Sequence, residues 1–190
     1  MDRIEIREKL EKKLTKKRFE HSLGVEYTAG AMAMVHGADT EAALLAGLLH
    51  DCAKYLSSDE KISRCEKYGL GVSKCERVNP ELLHAKLGAY FAREKYGVEN
   101  EDILSAITWH TTGRPAMTTL DKIIFIADYI EPNRKPLYEI EEIRREAFRD
   151  MDKCIIHILK NTLSYLDASD AVKDDMSVKT YEYYVKAGKE

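Results

Sequence analysis

The sequence predicts an all-α fold, a compact helical bundle in one domain. Three observations predict it. Helix formers such as Ala, Leu, Glu, Lys and Arg dominate the chain. No stretch alternates apolar and polar residues long enough to make a sheet strand. Turn residues fall between the helical stretches: Gly37, Gly69, Gly71, Asn79-Pro80, Gly97, Gly113-Arg114-Pro115, and Pro132 to Pro136. The helices then read 2–14, 17–36, 40–50, 58–68, 80–97, 100–110, 118–131, 139–149 and 151–167, with a further one at 176–186. Asp39 or Thr40 suits the cap of the third helix, and Asn79 before Pro80 suits a helix start.

Composition bounds the class. With 190 residues, 44% apolar and 33% charged, the chain can bury roughly 70% of its unfolded surface in one core. A net charge of -3, from 30 basic and 33 acidic residues, excludes a disordered chain and speaks against a general nucleic-acid binder. The longest apolar run, Ala42 to Leu49, is far short of the ~20 residues of a membrane span. The charged start, MDRIEIREKLEKKL, lacks the apolar stretch of a secretory signal, so the chain reads as cytoplasmic. Cys52, Cys65, Cys75 and Cys154 form no C-x-x-C pair and read as packed thiols.

Two helices stand out. The run from Ala42 to Leu49 is apolar around its whole circumference, and Leu120 to Ile130 nearly so. Such helices belong at the centre of a bundle. Each meets a metal-competent group at its C-terminal part: His50-Asp51 in the first, Asp128 in the second. A carboxylate among Ile123 to Ala127 is costly to bury unless a cation or strong donors meet it. A salt bridge or cap is the plain alternative, but Lys122, six positions back, lies near the opposite face. Imidazole and carboxylate together are ligands for iron, manganese and similar metals.

The other histidines divide by setting. His21 faces inward with Val25 and Thr28. His84 lies beside Gly88, which permits a close helix crossing. His110 ends a helix. His36, before Gly37, reads as an exposed helix C-terminus. His157 shows no charged signature and reads as unrelated to a site.

The order His21, His50-Asp51, Asp128 resembles the H…HD…D signature of the HD-domain metal-dependent phosphohydrolases. The surrounding segments are more specific: HSLGV at 21–25, AGLLHDCAK at 46–54, LLH at 82–84, AITWHTTGRP at 106–115 and IADYIEPNR at 126–134. They are similar to the YqeK-type HD hydrolases, which are symmetrical diadenosine tetraphosphate hydrolases. The likeness runs from about Lys16 to Leu166. It implies an HD domain over 16–170, preceded by an N-terminal helix at 1–15 and followed by a helical tail at 171–190. The tail's VKTYEYY lacks an expected asparagine and carries no function over. The stretch Ser57 to Asn79 carries no motif.

The resemblance implies His21, His50, Asp51 and Asp128 as metal ligands, with Asp51 also catalytic. His84 and His110 match two further family histidines, for a second metal or the substrate phosphates. Arg18, Lys54 and Arg134 fall where phosphate or nucleotide contacts are expected, and Lys54 is also assigned to catalysis. Lys16, Lys17, Arg114 and Lys135 read as ordinary solvated charges. The implied cofactor is one or two divalent ions, iron first, with manganese, cobalt, nickel or magnesium compatible. The implied reaction is symmetrical hydrolysis of diadenosine tetraphosphate to two ADP by a metal-activated water. No serine or cysteine sits in a nucleophile motif. Rival readings are an HD hydrolase of nucleoside monophosphates, dNTPs or a guanosine alarmone, and a nucleotide- or metal-sensing module without catalysis. Tyr55, Trp109, Tyr129 and Tyr138 lie near the motifs as candidates to stack on adenine, though helical aromatics are more often core. Neither nucleic acid nor membrane is expected as a partner, and a homodimer is compatible.

Overall fold

The computed structural model describes residues 1–135, 137–169 and 171–188. Pro136, one of the expected breakers, and Asp170, the expected domain edge, lie outside the described residues. Eleven α-helices follow in order among the described residues: α1 (Arg3–Glu11), α2 (Lys16–His36), α3 (Thr40–Leu49), α4 (Ser58–Lys67), α5 (Lys74–Val78), α6 (Leu83–Tyr96), α7 (Glu101–Trp109), α8 (Thr119–Ile130), α9 (Ile140–Ala147), α10 (Met151–Ala168) and α11 (Asp175–Ala187). No described residue lies in a strand, and no described helix is long and apolar enough to cross a membrane.

The helix starts are written in polar caps. Thr15, Asp39, Asn100 and Thr118 each accept from a backbone N–H in the first turn of α2, α3, α7 and α8. Each such cap contributes on the order of 1 kcal/mol. The expected helix at 80–97 divides. Asn79 makes no side-chain cap, Pro80–Leu82 forms a 3₁₀ turn, and α6 proper starts at Leu83. The sequence reading missed α5, although Ser73 and Glu76 make a reciprocal capping box there.

Helix α3 packs against α2, α7 and α8. Gly47 is what lets α2 and α3 close. A Cβ there would lie 2.9 Å from Glu26 Cα and 3.0 Å from the Val25 carbonyl oxygen. The expectation of burial all round α3 is only partly met. Leu44 and Leu45 stay half-buried and line a groove of about 800 Å³ with Ile4, Tyr27, Ala31 and Met34. That groove holds none of the histidines. Helix α8 buries Ile123, Ile124, Phe125, Ile126 and Ala127 in the core.

The terminal helices join the same core. Ile6 and Leu10 of α1 are buried, and Arg3 and Arg7 both bond the fully buried Glu26 of α2. On α11, Tyr184 Oη accepts the Met117 N–H at 3.1 Å. Thr180 packs on Gly113, whose φ of 64° suits glycine. The tail thus braces the loop that follows His110.

Cys52, Cys65 and Cys154 are buried free thiols, and Cys75 is only half-buried. Burial pushes the Cys52 thiol up to about 12. His36 is not exposed as expected: its Nε2–H donates to the Ala147 carbonyl at 2.8 Å, tying α2 to α9. His157 does have charged neighbours, contrary to the sequence reading. Its two ring nitrogens face Glu146 and Glu139, each at 2.8 Å. Glu139 closes the loop that leads from α8 into α9 and adopts φ 55°. Burial alone would lower the His157 pKa, but the two carboxylates outweigh it and raise it.

Gly47→Ala is expected to cost about 1–3 kcal/mol through overpacking of α2 on α3. The readout is a Tm lowered by roughly 2–12 °C; an unchanged Tm would mean a looser crossing. His157 gives a pH signature. An unfolded histidine titrates near 6.5, and the folded value here lies above that. Its stabilisation is therefore complete below the unfolded value and disappears as pH rises through the folded one. Urea unfolding of His157→Gln should show a larger loss near pH ~6 than near pH ~9. Equal losses would rule out the charged bridge.

Candidate metal centre

Five helices and one turn deliver six side chains to one place. His21 comes from the second turn of α2. His50 is the residue that closes α3, and Asp51 follows it in the turn leading to α4. His84 lies in the first turn of α6, His110 closes α7, and Asp128 sits in the last turn of α8. The structure thus brings together every histidine and carboxylate singled out for the site. His50, Asp51, His84 and His110 are all at most 3% exposed, while the Asp128 side chain keeps 17%.

The distances describe two pockets sharing one carboxylate. His21 Nε2 and His50 Nε2 lie 3.3 Å apart. Asp51 Oδ2 is 3.8 Å and 3.5 Å from them, and Asp128 Oδ1 is 3.0 Å and 3.8 Å. On the other side, Asp51 Oδ1 is 3.0 Å from His84 Nε2 and 3.8 Å from His110 Nε2. Those two imidazole nitrogens are 3.0 Å apart.

The tautomers reveal what the cluster fits. A carbonyl can only accept, so Nδ1–H of His50 donates to Gly47 O at 2.7 Å and that of His110 to Ile107 O at 2.7 Å. Nδ1–H of His84 donates to the Glu81 carbonyl. In the neutral rings each Nε2 is then a lone pair aimed at another nitrogen or at a carboxylate oxygen. Such a set repels itself until a cation lies among its members. Two ligands ~2.1 Å from one ion and about 90–110° apart lie ~3.0–3.4 Å from each other, close to the shorter separations found and below the 3.8 Å of the others. The donor set suits a divalent metal, and three overlapping trios, His21/His50/Asp51, His50/His110/Asp128 and Asp51/His84/His110, offer it ligands.

The electrostatics agree. Burial alone would raise the Asp51 carboxyl, but His50 and His84 hold it well below the usual range. Burial acts likewise on Asp128, and His21 and Arg134 reverse it. Burial also pulls His50 down, yet Asp51 and Asp128 prevail and raise it. His110, with burial and the charges of His50 and His84 against it, is pushed down to about 3. The field on the Asp51–Asp128 side attracts positive charge, which His50 partly supplies here.

The basic residues expected at the site are present. Arg18 Nη1 meets Asp51 Oδ2 at 2.7 Å. Arg134 binds Asp128 twice, through Nη2 to Oδ1 at 2.5 Å and through Nε to the carbonyl at 2.7 Å. The salt bridge weighed for Asp128 therefore exists, from a residue six positions ahead rather than behind. Lys54 Nζ is 3.2 Å from His84 Nδ1 and 3.4 Å from Glu81 Oε2. Arg18, His21 and Arg134 open onto a cleft of about 640 Å³. Lys17 and Lys135 also line it, with side chains exposed to solvent. Arg114 departs from the reading as a solvated charge, since it pairs with the buried Asp121 at 2.7 Å. Lys16 stays exposed. None of Tyr55, Trp109, Tyr129 and Tyr138 lines the cleft.

Three charged residues escaped the sequence reading. Glu131, 1% exposed, accepts from His21 Nδ1 at 2.9 Å. Glu81 bonds both Lys54 and Lys61. Lys61 is itself buried, in the stretch that had shown no motif. The readable signal for Glu131 was its place one turn beyond Asp128 on an apolar helix.

The HD domain pattern matches residues 18–133. A symmetrical bis(5'-nucleosyl)-tetraphosphatase of Halalkalibacterium halodurans is 44% identical over 153 residues, covering 80% of this chain and 81% of that protein. Its counterpart in Bacillus subtilis is 40% identical over 166 residues, covering 87% and 88%. Among solved structures, an HD superfamily hydrolase from Clostridium acetobutylicum, described as involved in NAD metabolism, superposes with a TM-score of 0.95. It is 36% identical, over 98% of both chains.

Proposed function

The chain belongs to the HD domain family, and from that premise we propose that it hydrolyses diadenosine tetraphosphate symmetrically to two ADP, using a divalent cation held by its His/Asp cluster. The observation that carries the reading is Asp51, whose two oxygens face two imidazole pairs with converging lone pairs. Relatives named for this activity at 38–44% identity over most of the chain support the substrate.

In this reading His21, His50, Asp51 and Asp128 hold one cation. Asp51, His84 and His110 hold a second ion, or the last two meet a substrate phosphate. Mixed imidazole and carboxylate ligation without thiolate is compatible with iron, manganese, cobalt, nickel and magnesium, and the family resemblance puts iron first. When bound, the cation lowers the pKa of water toward ~7 and draws charge from the phosphoryl oxygens. The hydrolytic region is assigned to 16–170, and the chain is taken to act in the cytoplasm as a small-molecule enzyme.

The chain's own residues bind and orient. Arg18 and Arg134 stand at the cleft with guanidinium groups now bonded to Asp51 and Asp128. A polyphosphate entering the cleft can take N–H bonds from both, since an arginine presents two parallel donors to one phosphate. Lys54 stands on the His84 side as a point charge. The water oxygen joins an inner phosphorus and the bridging P–O bond beyond it breaks. One ADP leaves, the attacked half becomes the other, and a proton is released.

The first test is product analysis by chromatography. Protein reloaded anaerobically with Fe(II), or with Mn(II), should convert diadenosine tetraphosphate to ADP alone, and Asp51→Ala should not. AMP plus ATP would move the attack to an outer phosphorus. No product from folded, loaded protein would sink the substrate, and mononucleotides and alarmones would be tried next. For Lys54→Ala, kcat/KM should fall roughly 10- to 100-fold, the worth of one hydrogen bond to a charged group. Metal content should stay the same. Unchanged turnover and affinity would remove Lys54 from phosphate binding.

A further inference from the structure

We infer that Glu131 is a positioning residue for the metal centre, acting through His21, and that Gly24 is the space that makes this possible. The inference rests on the metal reading above. Glu131 closes α8, and its carboxylate turns back into the protein rather than out to water. Oε1 accepts from His21 Nδ1–H at 2.9 Å, and Oε2 accepts from the Asn133 N–H at 2.7 Å. No lysine or arginine side chain pairs with it among the described residues. A carboxylate buried without a cationic partner is costly, so its place needs a reason. The His21 ring supplies one. With Nδ1–H held by Glu131, Nε2 faces His50 Nε2 and Asp128 Oδ1. A carboxylate behind a metal-binding imidazole fixes the tautomer and ring orientation and raises ligand basicity.

The backbone of Glu131 is pinned from a third element. Arg144 of α9 donates through Nε to Ile130 O at 3.0 Å and through Nη2 to Glu131 O at 3.3 Å. The approach to His21 is open only because residue 24 lacks a side chain. A Cβ at Gly24 would lie 2.3 Å from Glu131 Oε2, 3.0 Å from its Cδ and 3.3 Å from Asn133 Nδ2. All three are side-chain atoms, so a methyl group there displaces the carboxylate rather than a helix. Alanine also favours the helix over glycine. Gly24→Ala therefore separates two explanations. If Glu131 is only a structural cap, the variant keeps its metal affinity. If Glu131 positions His21, the variant loses affinity while keeping its fold.

The experiment titrates metal-free protein with Mn(II), following free Mn(II) by EPR, and records the visible absorption of Co(II) bound to the same variants. Thermal unfolding runs alongside. Glu131→Ala should weaken Mn(II) binding about 10- to 100-fold, the usual effect of removing such a support. Glu131→Gln should lose less, since its amide oxygen can still accept from His21 while its amide nitrogen opposes the Asn133 N–H. Gly24→Ala should weaken binding and alter the Co(II) spectrum with a Tm no lower than wild type. Folded Gly24→Ala and Glu131→Gln proteins with wild-type affinity and spectrum would overturn the inference. A wild-type protein that takes up no Mn(II) would overturn the metal reading and this inference with it.

Discussion

Asp51 is a buried carboxylate with an imidazole pair on each of its oxygens, and the architecture answers to that arrangement. Taking an ion out of water costs several kcal/mol even after relaxation. Here four histidines and two carboxylates share one interior. Arg18 and Arg134 offset part of the cost from the cleft side. The remainder must come from apolar packing. That is the physical role of α3 and α8, whose buried faces hold the polar groups at their ends. It also explains why Gly47 and Gly88 occur where they do. A Cβ at Gly88 would lie 3.2 Å from His50 O, a tight contact, so glycine lets α6 bring His84 in without pushing on that carbonyl.

Much of this was legible in the sequence because an anomaly is easier to read than a norm. An apolar helix that ends in His50-Asp51 contradicts its own hydropathy, and Asp128 interrupts a second such run. Helix ends were legible where caps and glycines mark them, as at Asp39 and Gly97. The long-range partners were not. Glu131 looks like any carboxylate near a helix end, and its partner His21 lies 110 positions earlier. Lys61 and Glu81 are separated by a stretch of ordinary charged composition, and only the fold makes Lys61 a buried cation. His36 and His157 were misread for the same reason. Both look isolated along the chain, yet each meets acceptors carried by another part of the bundle.

Hydropathy also fails to say which side of an apolar helix is covered. The run from Ala42 to Leu49 is uniform in composition, but α2, α7 and α8 do not close around all of it. Leu44 and Leu45 are left facing a groove beside the exposed Ile4, Tyr27 and Met34. The polar end of the same helix is enclosed completely. Burial along α3 therefore follows the demands of His50 and Asp51 more closely than the distribution of its leucines.

Helix direction ties these observations to the chemistry. The C-terminal ends of α3, α7 and α8 meet at the cluster, since His50 and His110 close their helices and Asp128 lies in a last turn. A helix C-terminus carries about half a negative charge in its unpaired carbonyls. Three of them add to two carboxylates and create a place for positive charge inside a protein of net charge -3. The cleft outside has the opposite character. Thr15, Lys17 and Arg18 bring the N-terminal end of α2 to its wall, and Arg134 and Lys135 face it from the end of α8. A helix N-terminus with basic side chains receives phosphate well. Negative helix ends inside and a positive one at the mouth thus give the interior and the opening opposite character. Asp51, bonded to Arg18 on one side and facing histidines on the other, stands at the boundary between them.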